Sequence, residues 1–143
     1  MENNYMPTWM VIEDEPDMYE VLLAMFEMWG IEGVAFVDGE EAIAWIEAVD
    51  AGHIHGELPD LVLSDIRLPG LSGPEVIKRL HTSPRLKGIA KIMITAYRLS
   101  PWEEEPIKAI CDKLMYKPLP KFEELRRILE EILAEHQWRK EED

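Results

Sequence analysis

The chain has 143 residues, 47% of them hydrophobic, and its 29 acidic and 15 basic side chains give a formal net charge of -14. That length suits one domain with its own core, no apolar run approaches the roughly 20 residues of a membrane-spanning helix, and the acidity opposes direct nucleic-acid binding, which depends on basic side chains. Met1 to Thr8 has no apolar signal-peptide centre, so a cytoplasmic location is expected, and the single cysteine, Cys111, excludes an internal disulfide.

Trp9 to Ile12 is a short apolar strand that ends in Glu13 and Asp14. From Asp17 onward, Met18, Val21, Leu22, Met25 and either Met28 or Trp29 recur at helical spacing, and Gly30 stands where glycine ends helices. Val34 to Val37 is a second strand; Asp38 and Gly39 turn into a helix carrying Ala42, Ile43, Trp45, Ile46 and Val49. Ala51 to Pro59 is a polar loop. Leu61 to Ser64, bounded by Pro59 before and by Pro69 and Gly70 after, forms a buried strand, and Asp65 ends it. Pro74 opens a third helix with Val76, Ile77 and Leu80.

Ile89 to Ile94 is a fourth strand ending at Thr95. Ser100, Pro101, Trp102 and Glu103 resemble a helix start with a capping box, yet Pro106 falls a turn later, so the fourth helix either begins near Pro106 or is kinked there. Leu114 to Tyr116 is a fifth strand ending at Lys117, with Tyr116 on Leu114's face and Met115 and Lys117 on the other. Phe122, Leu125, Ile128, Leu129, Ile132 and Leu133 form the apolar stripe of a last helix. A single domain over residues 1–136 is expected, with 137–143 a charged tail that frays. Strands alternating with helices predict a doubly wound α/β domain, whose chemistry lies at the carboxyl ends of its parallel strands.

Those ends carry Glu13 and Asp14, Asp65, Thr95 and Lys117. Three converging carboxylates repel unless a cation sits among them, and a hard divalent ion such as Mg²⁺, which keeps several waters, suits such a site. Lys117 can neutralise one phosphoryl oxygen and Thr95 can donate to another. One carboxylate is then the nucleophile that takes the phosphoryl group as an acyl phosphate, and Asp65, on the central strand, is the best placed.

Taken together, Val11-Ile12-Glu13-Asp14-Glu15-Pro16, the run Asp60 to Asp65 with Pro69 and Gly73 after it, Thr95-Ala96 and Lys117-Pro118 give the chain a resemblance to the receiver domain of two-component response regulators. The resemblance is to the stand-alone kind similar to the chemotaxis regulator, and it extends over roughly residues 8 to 136. It implies a flavodoxin-like fold with five parallel strands in the order 2-1-3-4-5. It further implies that Asp65 is the phosphoacceptor, that Asp14 and Asp65 ligate Mg²⁺ directly, that Glu13 acts through water, and that the Arg67 carbonyl is a further ligand. Thr95 would follow the phosphoryl group and Lys117 would bind it. The implied partners are a histidine kinase or histidine phosphotransfer protein and a downstream protein target, with no membrane or nucleic-acid partner.

The chain also departs from the family pattern. The aromatic usual three residues before the lysine is Leu114, and the glycine that often ends the fourth helix is Ile110. Tyr97 is expected to overhang the site. His53 and His55 are read as solvated loop residues, Cys111 as a packed residue, and Trp102 or Trp138 as a possible partner anchor. Two further functions compete with the switch. One is a receiver-like module that binds without being phosphorylated, which the acidic pocket disfavours. The other is an aspartyl-phosphate phosphohydrolase, which Arg67, standing where that chemistry usually has a second aspartate, disfavours.

Overall fold

The computed structural model describes residues 6–142. Its elements alternate as β1 (Thr8–Ile12), α1 (Pro16–Trp29), β2 (Glu32–Phe36), α2 (Gly39–Asp50), β3 (Leu61–Asp65), α3 (Gly73–His81), β4 (Ala90–Thr95), α4 (Pro101–Lys108), β5 (Lys113–Tyr116) and α5 (Phe122–Glu142). The five strands form one sheet in the order β2-β1-β3-β4-β5, and every neighbouring pair is parallel. This is the expected doubly wound α/β architecture.

Alternation along each strand divides the core in two. Trp9 and Val11 of β1 face a cluster with Leu22, Phe26 and Trp29 of α1 and Leu125 and Leu129 of α5. Met10 and Ile12 face the opposite cluster, with Ala42, Ile46 and Val49 of α2 and Val76, Ile77 and Leu80 of α3. The three central strands are buried along their whole length, which is why they are mostly apolar, with Ser64 and Lys91 the polar residues inside them. On α1 it is Trp29 that turns inward, against Trp9 and Phe26, while Met28 stays 71% exposed.

Local chemistry sets the helix ends. Gly30 closes α1 at φ 75°, a left-handed conformation that suits glycine. Asp38 caps α2 by accepting from the Glu41 N–H at 2.8 Å, and Ser72 caps α3 by accepting from the Glu75 N–H at 3.3 Å.

Three elements differ from expectation. β2 starts two residues earlier than its hydropathy suggests and ends one earlier, because pairing sets its span: Thr8 of β1 stands opposite Glu32 and Ile12 opposite Phe36. As an edge strand it tolerates exposed Glu32 and Gly33. α4 begins at Pro101 rather than near Pro106, with its capping box formed and Pro106 inside it. No residue of α4 is buried, and the carbonyl that loses its partner belongs to Trp102, which is 77% exposed. α5 continues as helix through Glu142 instead of fraying from Trp138; Asp143 lies outside the described residues. The far end of α5 is pinned by His136, which contacts Asp112 Oδ1 at 2.7 Å and the Gly88 carbonyl at 2.8 Å, and by Lys140, which donates to the same carbonyl at 3.0 Å.

Candidate functional site

The carboxyl ends of β1, β3 and β5 meet around an ammonium group. Asp65 ends β3 and is 6% exposed, and Glu13, one residue past β1, is fully buried. Lys117, one residue past β5, donates from Nζ to Asp65 Oδ2 at 2.7 Å and to Glu13 Oε1 at 2.9 Å. Its own N–H donates to the Thr95 carbonyl at 2.8 Å, which ties it to the end of β4. Asp14 is exposed at the rim, and one oxygen from each of Glu13, Asp14 and Asp65 lies within 4.8 Å of the others.

Backbone groups orient these carboxylates. The Arg67 N–H donates to Asp65 Oδ1 at 3.0 Å, and the Glu15 N–H donates to Glu13 Oε2 at 3.2 Å. The turn after β3 folds back closely: the Gly73 N–H bonds the Ile66 carbonyl at 2.9 Å. A Cβ on Gly73 would fall 2.1 Å from the Asp65 carbonyl oxygen, so only glycine fits here.

Burial and the lysine bridge shift two of these groups. Burial pushes the Glu13 carboxyl above its ordinary value, against the lowering effect of the Lys117 hydrogen bond. Burial works against the Lys117 ammonium too, but its bonds to Asp65 and Glu13 outweigh it and hold the lysine above its usual value. The cleft, about 490 Å³, is lined by these groups with Arg67, Leu68, Ala96 and Tyr97. Its donors are hard carboxylate oxygens, with neither histidine nor cysteine in the lining, a set that fits Mg²⁺.

The structure therefore brings Glu13, Asp14, Asp65 and Lys117 into one cluster, with Arg67 beside it. Thr95 is fully buried at the end of β4, where its Oγ1 accepts from the Tyr97 N–H at 3.1 Å. Tyr97 does line the cleft, and it does so beneath the Arg67 guanidinium, whose Cζ is 3.9 Å from the ring centroid. Residue pattern alone gave no signal for that stacking. His53 and His55 are exposed on their loop. The Cys111 thiol is half-buried, and burial pushes it up to about 11, which leaves little reactive thiolate. Leu114 and Tyr116 share one face and Met115 the other, as alternation requires. The Tyr116 hydroxyl donates to Glu104 of α4. Sequence reasoning also missed Lys91, buried within β4, whose Nζ donates to the carbonyls of Lys87 and Ile89 at 2.8 and 2.9 Å.

Fold and site together define a doubly wound α/β domain with a lysine-bridged acidic pocket at its switch edge. The response regulator receiver domain model matches residues 9–130, and the chain belongs to that family, the phosphorylation-dependent switches of two-component signalling. The chain is similar to the polar-differentiation response regulator DivK of Brucella anthropi, with 32% identity over 115 residues, 79% of this chain and 87% of that one. Among solved structures it is similar to the receiver domain of the sensor histidine kinase PA1611 of Pseudomonas aeruginosa PAO1, described with magnesium coordinated in its active site cleft. That match has 25% identity and a TM-score of 0.74 over 91% of this chain and 99% of the other. It is also similar to the Thermotoga maritima response regulator TrrA in complex with Mg²⁺-BeF, with 27% identity and a TM-score of 0.70 over 89% and 99% of the two chains.

Proposed function

We propose that Asp65 is the phosphoacceptor of this receiver domain. The single observation that carries the reading is the Lys117 ammonium bonded at once to Asp65 and Glu13. A lysine so placed is already where a transferring phosphoryl oxygen needs a positive charge. Glu13, Asp14, Asp65 and the backbone carbonyl of Arg67 are the groups that would hold Mg²⁺. When bound, Mg²⁺ supplies charge neutralisation at the phosphoryl oxygens.

The donor is a phosphohistidine on a histidine kinase or histidine phosphotransfer protein. An Asp65 carboxylate oxygen attacks phosphorus, the new O–P bond forms as the N–P bond breaks, and the electron pair returns to the imidazole nitrogen, which takes up a proton. Lys117 exchanges part of its contact with the carboxylates for a phosphoryl oxygen, and the Thr95 hydroxyl donates to another. The Arg67 N–H keeps Asp65 oriented. The product acts on a downstream protein target, in the cytoplasm, and the domain catalyses at most its own phosphorylation and dephosphorylation. Among the described residues no helix is long and apolar enough to cross a membrane. Residues 1–136 form the switching unit, with 137–143 appended to it.

Incubation with acetyl phosphate and Mg²⁺, followed by intact mass, tests this reading. A labile phosphoryl adduct on the wild type and none on Asp65→Asn is expected. Equal adducts on both chains, or none on either, would overturn it.

A further inference from the structure

Two contacts of Tyr97 are with groups that a phosphoryl group on Asp65 would claim. Its backbone N–H donates to Thr95 Oγ1 at 3.1 Å, and its ring lies 3.9 Å from Cζ of Arg67. The ring is 53% exposed, so core packing does not fix it. Arg67 is two residues from Asp65 and joined to it through its backbone N–H. A guanidinium fork on a phosphoryl dianion is stronger than a solvated cation–π contact, so the arriving group draws Arg67 off the ring. The same group draws the Thr95 hydroxyl from the Tyr97 N–H. Both restraints on residue 97 are therefore released by one event.

α4 lies immediately downstream. Its capping residue Ser100 is three positions past Tyr97, and no residue of the helix is buried. Ile107 packs in part against the core below it, and polar links complete its attachment. The Glu103 carboxylate accepts from the Ser100 N–H at 2.9 Å, and is held below its ordinary value chiefly by that bond, with the Arg67 charge contributing. Tyr116 donates to Glu104, and Arg98 lies over the Tyr116 ring. Leu114, aliphatic and buried in the apolar cluster below, has no polar group or ring to follow Thr95.

Resting on the phosphoacceptor reading above, we infer that Tyr97 is the positioning residue that reports phosphorylation of Asp65 to α4. It does so by losing its contacts to Thr95 and Arg67, in a chain that has Leu114 where the family usually has an aromatic.

Trp102, on the first turn of α4 and exposed, is a built-in reporter. The full-length chain is treated with acetyl phosphate and Mg²⁺, phosphoryl occupancy is read by intact mass, and displacement of the Trp102 indole N–H cross-peak, assigned with Trp102→Phe, is scaled to that occupancy. The wild-type peak is expected to move. In Tyr97→Leu, which keeps bulk and backbone N–H but has no π face, the scaled displacement falls at least twofold, and Tyr97→Phe restores it. Arg67→Gln behaves as Tyr97→Leu does. Equal displacement in the wild type and Tyr97→Leu, a loss that Tyr97→Phe does not restore, or a phosphorylated wild type with an unmoved peak would each overturn the relay while leaving the phosphoacceptor reading intact. A wild type that takes no phosphoryl group overturns both.

Discussion

Single residues in this protein act chiefly through what they hold in place. Gly73 is the clearest case, because its missing side chain lets the turn after β3 close onto the Asp65 carbonyl. Gly73→Ala must push that backbone apart. A loss of about 1–3 kcal/mol in urea unfolding is expected, as for other overpacked sites, together with slower adduct formation from acetyl phosphate. Lys91 offers a pH test far from the site. Burial lowers its affinity for a proton, so its value in the fold lies below the ordinary 10.5. Between those two values the unfolded chain binds more protons than the folded one, and stability must rise with pH across that window. Urea midpoints measured from pH 8 to 10.5 should rise less steeply in Lys91→Met than in the wild type; parallel curves would remove Lys91 from the account.

At the level of elements, α4 is held by the partial packing of Ile107 and by polar contacts, the end of α5 by polar contacts, and each can be loosened or tightened alone. Pro106 costs α4 one hydrogen bond, to the carbonyl of Trp102. Pro106→Ala is expected to slow amide exchange at residues 107–109 severalfold, whereas Tyr116→Phe, which removes the hydroxyl bound to Glu104, should quicken it. Exchange rates that ignore both changes would mean the helix is held by something else. On α5, His136→Ala removes the contacts to Asp112 and Gly88. With Asp112 still bonded to the Lys91 N–H, the expected cost is about 1–2 kcal/mol in urea unfolding, and faster exchange confined to the last turns of the helix.

Across the whole molecule, the parts legible in the sequence are those where one local rule decides the outcome. β1, β3 and β4 are covered on both faces, so their apolar runs and terminal polar residues identified both the sheet and the carboxylates that converge at its edge. β2 was displaced because an edge strand answers to pairing with β1 more than to hydropathy. For α4 the sequence leaves two readings open, because Pro106 counts against a helix interior; the Ser100 capping box decides the start, and the helix is exposed enough to bear the lost bond. The Arg67–Tyr97 stacking, buried Lys91 and the His136 clamp join residues distant in sequence, and no spacing rule reports them. The fold gathers Glu13, Asp14 and Lys117 around Asp65, the arrangement that supports the proposed phosphoryl acceptor. Borohydride reduces an acyl phosphate to an alcohol, so the chain treated with acetyl phosphate and Mg²⁺, reduced and mapped by peptide mass, should carry homoserine at position 65. Homoserine at another acidic position, or at none, would contradict the account.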